Sequence, residues 1–453
     1  MEDDRNIEEK LLLRLLTEKK YVLLRELLAE MNEADFAGIM DSMENEDSLR
    51  LFRILPKNMA AEVFADLELD DQAYIIQSLS ETEASTIIDN MMSDDAADLL
   101  EEMPANVVTR ILANARPDTR KDINHLLRYP EDSAGSVMTV EYVDFQQHMT
   151  VGDAIKKLRR VGLDSETINI CYVVDKQRIL VGTVALRYLI MHENDEVIGD
   201  FMNDNVISIN TMTDQEEAAR MFQKYGFTAM PVVDNENRMV GIITIDDVVD
   251  IIEEEATEDI EKMAAILPSD KAYLKTTVLE TYKKRMPWLL LLMISATFTG
   301  AIIQNYENAL ASYVILTAYI PMLMDTSGNA GSQASVSIIR GLSLKEIEFS
   351  DLWQAVWKEI RVAVLCGGTL ACVNFAKLML LDRTPVTIAI IVCVTLFVVV
   401  IAAKCIGSTL PLVSAKLGFD PAVMASPLIT TIVDAIALFV YFQIATNMLH
   451  LAV

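Results

Sequence analysis

From residue 286 to residue 453 the chain consists mainly of long apolar runs, and this feature limits its possible folds more than any other. The runs cover about residues 286–305, 311–338, 353–381, 385–414 and 422–450. A helix needs about 20 apolar residues to cross the hydrocarbon layer of a membrane. The sequence therefore predicts an all-α domain of five membrane-spanning helices over residues 286–453.

Charge separates this part from the rest. Residues 1–285 contain 58 acidic and 30 basic side chains, whereas residues 286–453 contain nine acidic and eight basic ones. An acidic surface repels nucleic acid and anionic lipid and attracts cations. The first thirty residues are charged and contain no apolar signal segment. We expect a cytoplasmic front part that binds divalent cations and no nucleic acid.

Basic residues near the spans predict the topology. They precede the first span and follow the second and fourth, with Arg383 as a single exception on the other side. Lys and Arg favour the cytoplasmic side of a membrane. Five spans then give a multi-pass protein of a bacterial-type inner membrane, with its N-terminus inside and its C-terminus outside. The residues on the inner side are Lys283, Lys284, Arg285, Arg340, Lys345 and Lys416.

Residues 31–115 repeat with a period of 24. Leu55, Leu79 and Met103 correspond, and the pairs Asp70-Asp71 and Asp94-Asp95 keep the same spacing. Pro56 and Pro104 also correspond and favour helix starts. Further matching sets are Val63, Ile87 and Ile111, then Phe64, Ile88 and Leu112. Two short helices per repeat, stacked to share one apolar face, predict a regulatory α-solenoid over residues 1–135.

A second repeat lies in residues 136–255. The segments "YVVDKQRILVGTVALRYLI" and "PVVDNENRMVGIITIDDVV" are offset by 59 residues at their Val-Gly pairs. They resemble a tandem α/β pair of CBS domains. In nucleotide-binding CBS pairs the pattern G-x-x-[ST]-x-x-D contacts ribose and phosphate, and here Gly241, Thr244 and Asp247 match it. Ala185 and Tyr188 break it in the first copy, so ATP in the second copy and a pair that binds no nucleotide both remain open.

The segment "DDVVDIIEEEATEDIEK" leads from the CBS pair towards the membrane. Acidic residues recur in it at steps of three or four, which places them on one face of a helix, where like charges repel. Either this is a solvated helix face, or divalent ions bridge it to neighbouring domains. We expect a connecting helix over residues 256–285 that is part of a cation sensor. The acids of this face are Asp247, Asp250, Glu254, Glu258 and Glu261.

The second span contains the polar segment "PMLMDTSGNAGSQAS". Pro321, Gly328 and Gly331 weaken a helix, and Asn329 and Gln333 are too polar for lipid. Such a segment at membrane depth must face protein or a water-filled cavity. We expect an interrupted helix that lines an ion pathway.

The last span contains an acid, Asp434, at its centre. A carboxylate there is costly unless it has a partner or a water-filled cavity, so a functional site is the default interpretation. A protonated structural acid is the alternative. Pro427 is expected to free backbone carbonyls near Thr430 and Thr431. Carbonyl, hydroxyl and carboxylate oxygens together suit a hard cation such as Mg²⁺.

The order of these parts, together with "PMLMDTSGNAGSQAS" and "DPAVMASPLITTIVDAIALFVYF", is similar to the MgtE family of magnesium channels over essentially the whole chain. The resemblance implies a homodimer with its pore on the two-fold axis, lined by the second and fifth spans. It implies that Asp434 of each subunit faces one Mg²⁺, and that cytosolic Mg²⁺ closes the pore. The regulatory acids that it implies are Asp94, Asp95, Asp98, Asp214, Glu216, Asp247, Asp250, Glu255, Glu258, Asp259 and Asp420.

Two other functions remain open. An intramembrane aspartyl protease would also need two acids in spans, here Asp325 and Asp434. A transporter mainly for another divalent ion, such as Mn²⁺ or Co²⁺, would need the same oxygen ligands. The protease lacks its GxGD context and has no use for an acidic sensor, so we expect a transporter, not an enzyme.

Overall fold

The computed structural model describes residues 2–101, 103–269, 273–424 and 426–450. The chain forms two compact units, Met1–Glu253 and Glu254–Val453. The first unit begins with a series of short helices. They are α1 (Glu2–Thr17), α2 (Tyr21–Leu28), α3 (Glu33–Met40), α4 (Asn45–Phe52), α5 (Lys57–Ala65), α6 (Leu69–Ser78), α7 (Glu81–Ile88), α8 (Ser93–Glu101), α9 (Ala105–Asn114) and α10 (Pro117–Leu126).

The predicted repeat of two helices is confirmed. From α3 onward, each helix has a counterpart that begins 24 residues later, up to α10. The matched apolar residues of the repeat are buried, except Leu79, which is half-buried. They belong to one continuous hydrophobic cluster, which is the shared face that a solenoid requires. Pro56 and Pro104 occupy the N-cap positions, one residue before α5 and α9.

The tandem α/β pair follows the solenoid. Its last helix continues past Glu253, where the second unit begins. The first copy consists of β1 (Tyr142–Gln146), α11 (Val151–Val161), β2 (Thr167–Val174), β3 (Leu180–Ala185) and α12 (Leu186–Met191). The second consists of β4 (Ile209–Asn210), α13 (Gln215–Tyr225), β5 (Ala229–Val233), β6 (Met239–Thr244) and α14 (Ile245–Met263). Each copy has a three-stranded sheet with one parallel and one antiparallel pairing.

The Val-Gly pairs have the same role in both copies. Gly182 lies opposite Val173, and Gly241 lies opposite Val232. A Cβ atom on Gly241 would overlap the sulfur of Met138, and one on Gly182 would overlap the sulfur of Met202. Each glycine thus leaves room for a methionine side chain that packs against its strand, which explains why the pattern repeats.

The segment 256–285 is not one helix, which corrects our prediction. It contains the end of α14, a non-helical stretch at residues 264–269 and 273–277, and the first turns of α15 (Val278–Asn305). Residues 270–272 lie outside the described part. The reason is local: Pro268 cannot donate a backbone hydrogen bond, and Thr277 caps α15 through a capping box with Glu280. The stretch folds back, so that the amide of Leu267 donates to the carbonyl of Lys284 at 3.2 Å.

The second unit is helical. After α15 come α16 (Glu307–Ser312), α17 (Ile320–Ser343), α18 (Leu352–Leu380), α19 (Val386–Lys416) and α20 (Ser426–Leu449). Among the described residues, four helical segments are long and apolar enough to cross a membrane. They are Val278–Asn305, Phe349–Leu380, Val386–Lys416 and Pro421–Leu449, which match the first, third, fourth and fifth predicted spans.

The second predicted span differs from our prediction. The polar segment 321–335 is not interrupted, because α17 continues through it, and the irregular part lies earlier, in a 3-10 turn at Val314–Tyr319. A membrane helix keeps its backbone groups paired with each other. The hydroxyl of Ser327 donates to the carbonyl of Met324 at 2.9 Å, so this polar group is satisfied within the helix.

The glycines of α17 allow close packing of helices and do not break α17. A Cβ atom on Gly331 would lie 3.3 Å from the carbonyl oxygen of Ala403 in α19 and 3.0 Å from Ile429 in α20. A Cβ atom on Gly407 of α19 would overlap the carbonyl oxygen of Gly331. Small residues let membrane helices approach in this way. The backbones of α17 and α19 therefore touch at Gly331 and Gly407.

We expect Gly407→Ala to destabilise the membrane unit by about 1–3 kcal/mol, because the new methyl group overlaps a backbone atom that cannot rotate away. Gly368→Ala is the matched control, since nothing lies within 4 Å of a Cβ atom there. Thermal denaturation of the full chain in detergent, followed by size-exclusion chromatography, measures both. Equal melting temperatures for the two variants would contradict the assigned contact.

Candidate ion pathway and cation-sensing sites

One face of α17 is polar. Asp325, Asn329 and Gln333 follow each other at intervals of four residues, so they lie on one side of the helix, and all three are exposed in the single chain. Gly328 and Gly331 are buried on the side that faces α19 and α20. Polar side chains do not face lipid at membrane depth. This face therefore needs water or another protein surface.

Asp434 lies beside this helix. A Cβ atom on Gly328 would be 3.0 Å from Cγ2 of Thr430 and 3.8 Å from Oδ1 of Asp434, so α20 approaches α17 closely at these residues. Asp325 is near enough for its charge to act on Asp434. The fold thus brings together residues of two predicted spans that are about a hundred positions apart in the sequence.

The carbonyl of Pro427 is occupied. The hydroxyls of Thr430 and Thr431 both donate to it, each at 2.9 Å. Pro427 is the second residue of α20, where a missing amide hydrogen breaks no helical bond. Pro427 therefore does not open the helix as we predicted. The lone pairs of the two hydroxyl oxygens and the carboxylate of Asp434 remain available to an ion.

One oxygen of the Asp434 carboxylate has no hydrogen-bond donor among the described residues of its own chain. Oδ1 is buried, and within the described residues no donor reaches it. A buried acceptor without a donor costs about 1–3 kcal/mol or more. Water, a cation or a second subunit must supply the partner. The available donor set consists of oxygens, which fits a hard divalent cation.

A group of acids in the first unit forms a second candidate site, which we name the acid cluster: Asp94, Asp95, Glu141, Glu166 and Asp247. Asp94 and Asp95 are in the first turn of α8, and Asp247 is in the first turn of α14. Burial, and then repulsion by Asp95 and Asp247, raises the pKa of Asp94 well above its usual range. Burial, and then repulsion by Asp247, raises the pKa of Asp95 to about 6.

Glu141 and Glu166 complete the cluster, and neither is among the acids predicted from the sequence. They precede β1 and β2, and the parallel pairing of Tyr142 with Thr167 brings them side by side. Burial, and then repulsion by Asp246 and Asp247, raises the pKa of Glu166 to about 7. The carboxylate of Glu141 accepts hydrogen bonds from Ser93 at 2.7 Å and from Thr139 at 2.6 Å. Only the strand pairing could have revealed these two acids.

The acid cluster suits a divalent cation chemically. In the described residues no three acid, His or Cys side chains are already arranged to enclose a metal ion. Mg²⁺, however, usually keeps several waters and binds only one or two carboxylates. A pair such as Asp95 and Asp247 would be enough. A cation there would remove the repulsion that raises these pKa values.

Thr244 and Asp247 interact with each other. The amide and the hydroxyl of Thr244 donate to Oδ2 of Asp247 at 3.2 and 2.6 Å. This contact caps α14. In the first copy Ala185 precedes α12 and makes no such cap. The two copies thus differ at the position where a nucleotide would be bound.

The other predicted regulatory acids are spread over several elements. Asp214 caps α13 by accepting the amide of Glu216 at 2.9 Å, and Glu216 forms an ion pair with Arg220. Asp98 and Asp250 are exposed, on α8 and α14. Partial desolvation of its carboxyl group, and then repulsion by Glu253 and Asp246, raises the pKa of Asp250 although its side chain reaches solvent. Glu255, Glu258 and Asp259 follow on α14, in the second unit.

Glu258 and Asp420 already share a cation. The ammonium of Lys262 lies 2.6 Å from the carboxylate of Glu258 and 2.7 Å from that of Asp420. Asp420 directly precedes a 3-10 turn (Pro421–Met424) that leads into α20. Next to Lys262, Met263 packs on Ile339 of α17 and on Ala422. The end of α14 is therefore in contact with α17 and with the segment that leads into α20.

The membrane helices also contain a buried ion pair that is not among the predicted sites. The ammonium of Lys404 in α19 lies 3.2 Å from the carboxylate of Glu359 in α18. Lys404 is a charge inside an apolar run, the same signal that singles out Asp434. A charge inside the fourth apolar run would have been enough to predict a site at Lys404. Its partner Glu359 is identified only by the packing of α18 against α19.

Comparison with known proteins agrees with this organisation. The family models for "MgtE intracellular N domain", "CBS domain" and "Divalent cation transporter" match residues 31–132, 198–254 and 320–444. A magnesium transporter MgtE of Thermus thermophilus is 37% identical over 450 residues, which cover 98% of this chain and 100% of that protein. The chain belongs to the MgtE family of magnesium transporters. A Bacillus subtilis member is 34% identical over 440 residues, 96% of each chain.

Solved structures match about half of this chain. One is the soluble part of a magnesium transporter, with a TM-score of 0.52 and 30% identity, over 56% of this chain and 99% of that one. Another is the cytosolic domain of the Mg²⁺ channel MgtE in complex with ATP, with a TM-score of 0.51 and 39% identity, over 53% of this chain and 98% of that one. The predicted fold of solenoid, CBS pair and helical membrane part is confirmed. Four apolar helices agree with a multi-pass membrane transporter.

The raised pKa values predict how the acid cluster responds to pH. Between about pH 4 and 7 the folded state holds protons that the unfolded state releases, so the free energy of unfolding falls as pH rises. In Mg²⁺-free buffer we expect Glu166→Gln to stabilise the first unit by on the order of 1–3 kcal/mol at about pH 8 and much less at about pH 5.

Urea unfolding of the full chain in detergent, followed by pulse proteolysis of the first unit, measures this difference. Asp195→Asn is the control, because Asp195 is exposed and lies outside the cluster. A gain for Glu166→Gln that is the same at both pH values would contradict the assigned repulsion.

Proposed function

We propose that this chain is a Mg²⁺ channel of the cell membrane that admits Mg²⁺ and closes when Mg²⁺ binds its cytosolic domains. The observation that carries the proposal is the buried oxygen of Asp434, for which no donor is present among the described residues of its own subunit, beside the polar face of α17. A transported cation is the natural partner for it. The proposal describes a transporter and assigns no catalytic residue.

A homodimer explains the exposed polar face. Two copies that place α17 and α20 around a two-fold axis would enclose Asp325, Asn329 and Gln333 in a water-filled pathway instead of in lipid. The two Asp434 carboxylates would then balance the charge of one Mg²⁺. Mg²⁺ loses its waters reluctantly, so selection of a hydrated ion by two carboxylates and the hydroxyls of Thr430 and Thr431 is physically plausible.

Gating would follow from repulsion between acids. Without Mg²⁺, the carboxylates of the acid cluster repel one another, and so do those on the acidic face of α14. Salt at physiological concentration screens this repulsion beyond about 8 Å, so it acts between near neighbours. Mg²⁺ would bridge them and favour one arrangement of the cytosolic domains. Lys262 and Met263 connect α14 to Asp420, Ala422 and Ile339, so the end of this helix is in contact with the helices of the pathway.

ATP at the second CBS copy is part of the proposal. The cytosolic domain of a related MgtE channel binds ATP in its solved structure. Thr244 and Asp247 follow Gly241 in the pattern that contacts nucleotides, and their mutual hydrogen bond would give way to ribose or phosphate.

The proposed topology places the N-terminus inside and the C-terminus outside.

We expect Asp434→Ala and Asp434→Asn to reduce Mg²⁺ flux to background, since neither side chain offers a charge to the ion. Uptake into proteoliposomes with a fluorescent Mg²⁺ indicator measures flux at matched insertion. Asp325→Asn should lower flux less than either Asp434 variant, because a channel should depend chiefly on Asp434. A protease would lose its activity when either acid is replaced. Measuring Mg²⁺ flux in the presence of competing Mn²⁺ or Co²⁺ would rank the transported ions. Normal flux in both Asp434 variants would refute the pathway.

We expect the joint change Asp250→Asn, Glu255→Gln and Glu258→Gln to weaken inhibition by internal Mg²⁺. The half-inhibitory concentration should rise about tenfold or more, a coupling energy of about 1.4 kcal/mol. Patch-clamp currents at graded internal Mg²⁺ give this value. A control with Asp118→Asn, Glu131→Gln and Asp195→Asn removes the same charge from exposed sites elsewhere. Equal shifts in both would mean that only net charge matters.

A further inference from the structure

The Glu359–Lys404 pair lies deep in the membrane unit. Lys404 is three residues past the midpoint of α19, and its side chain is 6% exposed, against 13% for Glu359. A charge at this depth is retained only with a partner, and such residues are functional candidates by default. The proposed pathway uses Asp434 and the polar face of α17 and assigns no role to Glu359 or Lys404, so their function is unexplained.

The surrounding contacts between α18 and α19 are nonionic. Asn374 meets the sulfur of Cys393 at 3.9 Å. A Cβ atom on Gly367 would lie 3.3 Å from the ring of Phe397. Ala355 and Leu412 share one hydrophobic cluster at the other end. Among the described contacts between these two helices, the ion pair is the charged one, and the amide of Asn374 adds a weaker hydrogen bond to the sulfur of Cys393.

Apolar contacts between large side chains in lipid define a register less strongly than a polar contact does. A helix that slides by one residue exchanges one apolar neighbour for another, and lipid tails are as apolar as the side chains. An ion pair can define a register, because a slide separates the two charges in a medium that cannot solvate them. Specifying register is the best-attested use of buried polar pairs.

The position of α19 matters for the pathway helix. Gly407 is three residues after Lys404, close to one turn, and its backbone touches Gly331 of α17. If α19 slid by one residue, the side chain of Ile406 or Ser408 would meet the backbone of Gly331. Asn329 and Gln333 flank Gly331 on α17, so a displaced α19 would move the polar face as well.

We propose that Glu359 and Lys404 are positioning residues: their ion pair fixes the register of α19 against α18 and thereby holds α17 in the arrangement that the pathway needs. The statement about register stands independently of the transported ion. The statement about the pathway rests on the proposed function.

Cross-linking tests the register directly. Cys393 is retained, Asn374→Cys is introduced opposite it, and Cys171, Cys366, Cys372 and Cys405 are replaced by Ala. Oxidation in membranes, followed by counting free thiols with a maleimide-polyethylene glycol tag, gives the cross-linked fraction. We expect efficient cross-linking with the native pair and with Lys404→Arg. We expect a several-fold loss with Glu359→Gln or Lys404→Gln, and recovery with the exchange Glu359→Lys plus Lys404→Glu.

The double variant Glu359→Met plus Lys404→Met separates register from folding. Apolar replacement of a buried pair usually preserves folding, so this variant should insert normally and still lose cross-linking and flux. Native cross-linking in this variant would overturn the proposal. Lost cross-linking with undiminished Mg²⁺ flux would overturn its second half. Lys377→Gln with Asp382→Asn, which removes a more exposed pair at the end of α18, is the control and should change neither.

Discussion

A polar atom inside the hydrocarbon layer is costly unless it has a partner, and the organisation of the membrane unit depends on this constraint. The departures from an apolar bundle include the polar face of α17, the carboxylate of Asp434, and the Glu359–Lys404 pair. Of these three, the last is satisfied as an ion pair within the described residues. The other two lie next to each other, because α17 and α20 approach closely at Gly328. Groups that need a partner are thus concentrated in one place, as an ion pathway requires.

In the first unit the difficulty is the opposite one, because acids that could face water are packed together. Burial and mutual repulsion raise the pKa values of Asp94, Asp95 and Glu166, so their ionised forms are destabilised in the folded protein. A divalent cation removes that cost by neutralising the carboxylates. Under the proposed function, the preferred arrangement of the acid cluster would depend on whether a cation neutralises its charge.

Lys262 shows how such an effect could reach the membrane. It holds Glu258 and Asp420 together with an ammonium group, in the manner in which Mg²⁺ would bridge the same two acids. The attachment lies at the entry to α20, the helix that contains Asp434. Asp420 is thus a predicted regulatory acid that already forms an ion pair with Lys262.

The sequence by itself determined the parts of the protein and their order. A 24-residue period gives the solenoid because helices that share one apolar face must repeat, and a 59-residue offset gives the CBS pair. Asp434 stands out because a charge in an apolar run is rare. Local patterns misled us at Pro427 and in segment 321–335, because glycine and proline have different effects at a helix start or a helix contact than in an isolated helix. Only the tertiary structure brought Glu141 beside Glu166, Glu359 beside Lys404, and Gly328 beside Asp434. These pairs come from strand pairing and helix packing, and contacts between residues far apart in the chain leave no period in the sequence.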